Sequence, residues 1–262
     1  MMLKDKVAVI YGAGGAIGGA VARGFAAEGA RLFLTGRHRA PVEAVAKDIV
    51  SAGGRAEVAE VDVLDEKAVD RYLRYLVGQA DRIDVSFDAI GIPGSQILGV
   101  PATDLDAEAF SLPIATYTRS YFVTARLAAR HMISNRTGVI MTVTAFPARK
   151  GTPLNGGYGA AMAAKEALTR DLSAEFAPHG IRVLALRPNG MAETSTMREL
   201  FEIRARASGH DLGAVRGIPR QHDPPATGHD ARGDGQRGGL HGIRQGQRDD
   251  GNHRQPDHGD PR

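Results

Sequence analysis

Short apolar segments alternate with amphipathic helical patterns along residues 1–208, and this alternation constrains the fold more than any other feature of the chain. The apolar runs are typical of buried strands, and they lie at residues 7–11, 31–35, 57–61, 83–87, 138–144 and 181–186. The helical patterns lie between them, at residues 17–28, 41–51, 66–79, 106–132 and 158–176. Strands that alternate with helices form a parallel sheet covered on both faces. We therefore predict an α/β fold with a doubly wound parallel sheet of six strands.

The composition narrows the class of protein. The net charge of +3 and the absence of a basic stripe predict no nucleic-acid partner. The chain has no cysteine, which excludes disulfides and thiolate metal sites. The N-terminal residues begin a strand almost at once without a secretory pattern, and no apolar run approaches the ~20 residues of a membrane helix. We expect a cytoplasmic protein with no membrane partner.

A glycine-rich loop follows the first strand and opens the first helix, a position that favours dinucleotide binding. Glycines let the backbone turn tightly and approach a pyrophosphate, whose charge is stabilised by free N–H groups at the helix N-terminus. The alternative is a tight connection between strand and helix that binds nothing. The loop residues that we assign to the cofactor are Gly12, Gly14, Gly15, Ile17 and Gly18.

Residues after the second and third strands bear on the choice of cofactor. Asp62 and Val63 follow the third strand, where Asp62 can bind the adenine edge. At the end of the second strand an NAD site usually carries an acid for the ribose, whereas this chain carries Arg37. An arginine without that acid suits a 2′-phosphate, so NADP is favoured over NAD. The alternative for Arg37 is a solvated loop charge.

Residues 3–208 resemble the short-chain dehydrogenase/reductase family. The matching landmarks, in chain order, are GAGGAIG at residues 12–18, Asp62-Val63, IDVSFDAIG at residues 83–91, GVIMTVTA at residues 138–145, Tyr158, and APHGIRV at residues 177–183. Residues 187–190 and Thr194 look like the Pro-Gly loop that covers the nicotinamide in this family. The resemblance assigns Gly91, Pro188 and Thr194 to the cofactor site. It also implies a Rossmann domain over residues 1–208, a small-molecule substrate and a homo-oligomer.

The catalytic tetrad of that family is largely replaced in this chain. Family members use a tyrosine for proton transfer, a serine that holds the substrate oxygen, a lysine that lowers the tyrosine pKa and binds the nicotinamide ribose, and an asparagine that supports a water relay. Tyr158 retains the first of these positions. The asparagine, serine and lysine positions carry Tyr117, Ala145 and Met162. Thr144, next to the serine position, is expected to be a buried β-branched residue, and Asp88 is either a solvated loop acid or a cofactor contact.

Lys165 is the nearest candidate for the missing lysine. It lies seven residues after Tyr158, about two helical turns, so both side chains share a helix face. It either reaches the tyrosine and the cofactor ribose, or points to solvent or the neighbourhood of Glu166. The spacing resembles that of enoyl reductases in the same superfamily, although there the tyrosine moves upstream, whereas here the lysine moves downstream. We predict that Tyr158 and Lys165 are the catalytic residues.

Three functional hypotheses follow. The first is an oxidoreductase that transfers hydride between NADP(H) and a carbonyl or alcohol, with Tyr158 as acid or base; an enoyl-reductase-like activity of Tyr158 and Lys165 is its variant. The second is a nucleotide-binding pseudoenzyme. The third is the inactive product of a damaged enzyme gene.

The composition changes near Gly209. Residues 210–262 contain eleven glycines, eight arginines, eight aspartates and six of the nine histidines, but only eight apolar residues. Such a segment cannot bury enough surface to offset its ordering entropy, so we expect residues 209–262 to be a disordered tail. The histidines recur at no ligand spacing, so we predict no metal site.

The tail is also typical of GC-rich DNA that is translated out of frame. With permitted codons, residues 232–259 read one base later can give EEMANVAVFMASDKASGMTGTTVNLTMG. That peptide resembles the closing helix and last strand of the same family. We therefore predict that residues from about 209 are out-of-frame translation and that the usual seventh strand is missing. We expect poor solubility or weak oligomerisation as a result.

Overall fold

The computed structural model describes residues 1–188, 198, 201–203, 205 and 206. All of these residues belong to a compact unit, Met1–Ile218. The predicted domain boundary at residues 208–209, the tail and the seventh strand lie outside the described residues and stay predictions.

Within the described residues the chain forms one parallel six-stranded sheet with the strand order β3-β2-β1-β4-β5-β6. The strands are β1 (Val7–Tyr11), β2 (Arg31–Gly36), β3 (Arg55–Glu60), β4 (Val85–Asp88), β5 (Gly138–Val143) and β6 (Ile181–Leu186). The helices are α1 (Ala16–Ala27), α2 (Arg39–Ser51), α3 (Glu66–Ala80), α4 (Ala107–Ile133) and α5 (Tyr158–Phe176). The predicted doubly wound fold is confirmed.

Two strands begin two residues from their predicted starts. The strand β3 lies at the edge of the sheet and is only half-buried, so its first residues, Arg55 and Ala56, lack an apolar signal. The strand β4 was expected to include Ile83 and Asp84. Asp84 lies just before β4 and bonds to β1 in two ways: its backbone N–H donates to the Val7 carbonyl at 2.9 Å, and its carboxylate accepts the Val7 backbone N–H at 2.9 Å.

Two apolar layers cover the sheet. One contains α3, α4 and α5 and includes the fully buried Tyr11, Phe33 and Tyr121. The other contains α1 and α2 and includes Ile10 and Phe87. Each large side chain that is removed from water in this way contributes about 1.5–3 kcal/mol.

The helix N-termini differ in whether a side chain caps them. Asp65 and Asp106 cap α3 and α4 through their carboxylates. Gly15 precedes α1 without any side-chain cap, and the first turn of α1 carries no acid. The amide groups of that turn are therefore open to an anion. Among the described residues, no helix combines the length and the apolar character needed to cross a bilayer.

Candidate active site

Tyr158 is the first residue of α5, and its phenol is held in a half-buried position. Its ring meets the Tyr117 ring edge-on, with 5.8 Å between centroids and an interplanar angle of 67°. Burial raises the pKa of the Tyr158 phenol above its ordinary value, and the neighbouring Tyr117 raises it further. A phenol with a raised pKa keeps its proton at neutral pH, so this side chain is suited to donate a proton rather than to accept one.

The three residues predicted to stand at the other tetrad positions lie in or against one apolar cluster with this phenol. Tyr117 and Met162 are buried in one apolar cluster, and Ala145 and Tyr158 pack against it. The remaining members of that cluster are Ile92, Ile97, Leu98, Ile114, Ala148 and Ala161. The Tyr158 phenol thus lies in an apolar environment that also contains the Tyr117 phenol.

Lys165 is fully buried, with 1% of its side chain exposed. Its ammonium group therefore points neither to solvent nor to Glu166 but is paired with Asp88. Its Nζ lies 3.3 Å from Asp88 Oδ1, and the Asp88 carboxylate is also completely buried. The ammonium faces the rings of Tyr117 and Tyr121, at 5.6 and 5.5 Å from their centroids, which are distances for a cation–π contact. Lys165 therefore joins α5 to β4 and α4.

Asp88 ends β4 and is not a solvated loop acid, so that alternative is wrong. Besides Lys165, its carboxylate accepts hydrogen bonds from Thr124 Oγ1 and from the Ile90 backbone N–H, both at 3.4 Å. A buried charge needs such partners because its desolvation is costly. The pattern could have been suspected from an acid at a strand end and a lysine on an apolar helix face. Their pairing is set by the three-dimensional fold.

Tyr117 connects α4 to the loop that follows β4. Its hydroxyl oxygen accepts a hydrogen bond of 3.0 Å from the Ile92 backbone N–H. Burial raises the pKa of Tyr117, the Ile92 hydrogen bond opposes that shift, and Asp88 adds to it. The phenol therefore keeps its own proton, for which the described residues offer no hydrogen-bond acceptor.

Thr144, next to the predicted serine position, directs its hydroxyl to Glu166. It is buried, as expected, and its hydroxyl donates to Glu166 Oε1 at 3.4 Å. Glu166 also binds Arg149 at 2.7 Å and Arg187 at 2.8 Å. Burial alone would raise the pKa of Glu166, but the hydrogen bonds from the two arginines lower it below its ordinary value. The glutamate thus links the ends of β5 and β6 through Thr144 and Arg187.

The glycine loop turns so tightly that two of its positions leave no room for a side chain. Gly12 has a φ of +74°, and a Cβ there would lie 2.7 Å from the Ala89 carbonyl oxygen. A Cβ at Gly18 would clash with the Gly12 carbonyl, so the loop and α1 can approach closely only without side chains at these positions. Ile17 is half-buried beside them, and Gly14 and Gly15 complete the turn at the α1 N-terminus.

The other predicted cofactor residues follow successive strands at the same carboxyl edge of the sheet. Arg37 follows β2 and is exposed, without an ion pair to any described residue. Asp62 is exposed and its Oδ1 accepts the Leu64 N–H at 3.0 Å, while the adjacent Val63 is buried. Gly91 and Pro188 follow β4 and β6, and Thr194 lies outside the described residues. Ligands of open α/β sheets bind at this edge.

Comparison with known proteins gives consistent matches. A family model described as short chain dehydrogenase matches residues 6–205. A curated relative, the peroxisomal 2,4-dienoyl-CoA reductase of Rattus norvegicus, is 32% identical over 220 residues, which are 84% of this chain and 73% of the relative.

Solved structures with similar folds carry nicotinamide cofactors. NAD⁺-bound xylitol dehydrogenase is 27% identical with a TM-score of 0.78, covering 82% of this chain and 84% of that one. A putative NAD(P)-dependent gluconate 5-dehydrogenase from Beutenbergia cavernae with bound NADP is 28% identical with a TM-score of 0.69, covering 79% of this chain and 82% of that one.

Proposed function

Because the chain belongs to the short-chain dehydrogenase family, and its relatives are oxidoreductases, we propose that it reduces a carbonyl group with NADPH and that Tyr158 is the proton donor. The observation that carries this proposal is the half-buried Tyr158 phenol with its raised pKa, at the sheet edge that also bears the glycine loop. A neutral phenol is ready to protonate the oxygen of a carbonyl as that oxygen gains charge.

The preference for NADP rests on the end of β2. Arg37 is exposed there and no acid follows the strand before α2. The neighbouring Arg39 is already paired with Glu43 at 2.6 Å, whereas Arg37 has no such partner among the described residues. A planar guanidinium can bind the 2′-phosphate of NADP bidentately.

The roles of the chain's own residues follow from their positions. The open amides of the first turn of α1 would bind the pyrophosphate, and Arg37 would bind the 2′-phosphate. The bound cofactor supplies the hydride. Tyr158 would donate its proton to the carbonyl oxygen, so that the carbonyl becomes an alcohol and the phenolate regains a proton from water. The surrounding apolar cluster would keep bulk water from the reacting carbon.

Lys165 takes a different role from the lysine of the family. Its Nζ is bound to Asp88 and faces the ring of Tyr117, which in turn meets Tyr158. We propose that Lys165 positions Tyr117, and through it Tyr158, rather than binding the cofactor ribose.

Two measurements test the proposed reaction. Calorimetric titration of the full chain with NADPH and NADH measures cofactor binding, and NADPH oxidation across a panel of aldehydes and ketones measures turnover. We expect NADPH to bind more tightly and at least one carbonyl to be reduced. NADPH binding without turnover of any panel member would indicate the pseudoenzyme instead, and no binding would indicate the inactive product of a damaged gene.

A second candidate reaction is the reduction of a conjugated C=C bond in an acyl thioester. The activity for which the rat relative is named and the apolar surroundings of Tyr158 favour it. Adding 2-enoyl-CoA and 2,4-dienoyl-CoA thioesters to the panel tests it directly. Faster NADPH oxidation with these thioesters than with any simple carbonyl would make this the principal activity.

A further inference from the structure

Tyr117 carries a hydroxyl group whose oxygen is hydrogen-bonded and whose proton is not. The residue is only 5% exposed and belongs to the apolar cluster that surrounds Tyr158. Its oxygen accepts the Ile92 backbone N–H at 3.0 Å, and within the described part of the chain no acceptor receives its proton. A buried donor without a partner costs free energy, and native structures rarely leave one without a reason. The Tyr117 O–H is therefore a group that can bind a ligand atom.

The Tyr117 side chain is held from two directions. The Lys165 ammonium lies 5.6 Å from its ring centroid, and Lys165 is itself fixed by the Asp88 carboxylate at 3.3 Å. Asp88 also accepts the Ile90 backbone N–H at 3.4 Å, so the same carboxylate holds the loop that presents the Ile92 N–H. The Tyr117 hydroxyl thus has a fixed position before any ligand binds. A preorganised donor of this kind is effective towards charge that develops during a reaction.

Both contacts also improve the Tyr117 hydroxyl as a hydrogen-bond donor. The Ile92 N–H donates to the phenol oxygen, and hydrogen bonds in a chain polarise one another. The Lys165 ammonium faces the ring and attracts its π-electrons. Burial nonetheless raises the pKa of Tyr117. The group is therefore suited to donate a hydrogen bond while it keeps its proton.

Tyr158 brings a second phenol to the same apolar cluster. The two rings meet edge-on, with 5.8 Å between their centroids. Tyr117 raises the pKa of Tyr158 electrostatically, through an interaction that weakens with distance. The Tyr158 hydroxyl likewise has no hydrogen-bond partner among the described residues. Two such donors in one apolar cluster match a single carbonyl oxygen, which has two lone pairs.

We propose that Tyr117 is a second hydrogen-bond donor to the substrate oxygen, so that Tyr117 and Tyr158 bind the same carbonyl. The inference rests on the proposed reduction and deepens it. When the carbonyl carbon accepts hydride from NADPH, the electron pair of the C=O π bond moves to the oxygen. Tyr158 gives that oxygen its proton, whereas Tyr117 keeps its own and stabilises the developing charge. The substituents of the carbonyl are apolar, because every other side chain of the cluster is apolar.

The first experiment separates the Tyr117 hydroxyl from its ring. Tyr117→Phe removes the hydroxyl and keeps the ring that faces Lys165 and Tyr158. We expect kcat for NADPH-dependent carbonyl reduction to fall about 10²-fold, as it does when one donor to an oxyanion is removed, with the Kd for NADPH unchanged. Retained kcat in Tyr117→Phe would overturn the proposal, because the ring alone would then be sufficient.

Tyr72→Phe is the matched control. The Tyr72 hydroxyl is also buried and without a hydrogen-bond partner among the described residues, but Tyr72 lies on α3, in the core layer that α3, α4 and α5 form. Its removal should leave kcat at the wild-type value. The comparison therefore separates the loss of any unpaired buried hydroxyl from the loss of the one beside Tyr158.

The second experiment measures the oxygen site without turnover. The full chain is titrated with para-nitrophenol, at a pH where its oxygen is ionised and accepts hydrogen bonds, and with para-nitroanisole, whose oxygen is methylated and uncharged. We expect the wild type to bind the phenolate at least about tenfold more tightly than the anisole. Tyr117→Phe and Tyr158→Phe should each weaken phenolate binding about tenfold, since each loses one hydrogen bond to a charged group. Neither should change anisole binding, and Tyr72→Phe should change neither probe.

The outcomes separate this inference from the proposed reaction. Phenolate binding that depends on Tyr117, in a wild type that turns over no carbonyl, would refute the reduction and support the two-phenol oxygen site. Phenolate binding that Tyr117→Phe leaves intact would overturn the inference whether or not the chain is an active reductase. Equal affinity of the wild type for the two probes would also overturn it, and that measurement does not depend on the folding of any variant. Circular dichroism checks that the variants fold.

Discussion

At the scale of single residues, Tyr158 illustrates how environment decides what a side chain can do. Met162 lies four residues after Tyr158, where the family resemblance predicts a cation, and the phenol packs against an apolar cluster and Tyr117. Both burial and Tyr117 raise the Tyr158 pKa, so the protonated form dominates over the usual range of pH. This favours reduction, which consumes a proton, over oxidation, which needs the phenolate.

The raised pKa of Tyr158 predicts different pH profiles for the two reaction directions. The protonated phenol persists below its folded pKa, so carbonyl reduction should show no loss from Tyr158 ionisation between neutral pH and about pH 10. Alcohol oxidation should rise about tenfold per pH unit over that range, since the phenolate fraction does. Initial rates in both directions measure this. An oxidation rate that levels off near pH 7 would show that another group lowers the tyrosine pKa.

Arg37 provides a prediction on cofactor choice. Arg37→Ala should weaken NADPH binding about tenfold or more and leave NADH binding nearly unchanged, because only NADPH carries the 2′-phosphate. Arg130→Ala is a matched control, since Arg130 is an exposed arginine in the last turn of α4. Equal effects of Arg37→Ala on the two cofactors, measured by calorimetry, would contradict the assignment.

At the scale of elements, the buried Asp88–Lys165 pair joins β4, α4 and α5. The bounds of β1, β6 and α5 agree with their predictions because apolar patterning and flanking residues mark them in the sequence. The partners of Lys165 could not be predicted in the same way. Asp88 lies 77 residues away, and the contact depends on how α5 packs over β4.

The pair predicts a specific pattern of unfolding free energies. Lys165→Met should destabilise the chain by about 3–5 kcal/mol because it leaves the Asp88 carboxylate buried and unpaired. Adding Asp88→Asn should restore most of that loss, since no buried charge remains. Urea unfolding measures each value, and the exposed pair of Arg23 and Asp48 serves as control, with less than about 1 kcal/mol expected for Arg23→Ala. Equal losses in the single and double variants would rule out a coupled pair.

The positioning role of Lys165 has its own readout. If Lys165 orients Tyr117 and thereby Tyr158, the double variant Asp88→Asn/Lys165→Met should recover stability but not kcat, and its KM for NADPH should change little. A ribose-binding lysine would instead raise the KM for NADPH. Steady-state kinetics on Lys165→Met and on Asp88→Asn/Lys165→Met separate these roles.

At the scale of the whole molecule, sequence patterning was sufficient to predict the fold class and the six parallel strands but not how completely the sheet is covered. The half-exposed Leu184 and Leu186 appear only once the register of β5 and β6 is known. An uncovered apolar face beside an open sheet edge promotes association.

We therefore expect the purified chain to be poorly soluble or to oligomerise weakly and heterogeneously. Sedimentation velocity at several concentrations measures this, and Leu184→Lys/Leu186→Lys should reduce the association because it places charge where these two leucines of β6 are exposed. A monodisperse tetramer with one sharp unfolding transition would contradict the expectation.

The proton transfer by Tyr158 is tested most directly by the kcat for NADPH-dependent carbonyl reduction in wild type and Tyr158→Phe. The matched control is Tyr75→Phe, at a tyrosine on α3 that is 52% exposed. General acid catalysis by Tyr158 predicts a loss of about 10²–10⁴-fold in Tyr158→Phe, with NADPH affinity retained and Tyr75→Phe unaffected. A Tyr158→Phe variant that reduces the carbonyl as fast as wild type would contradict it.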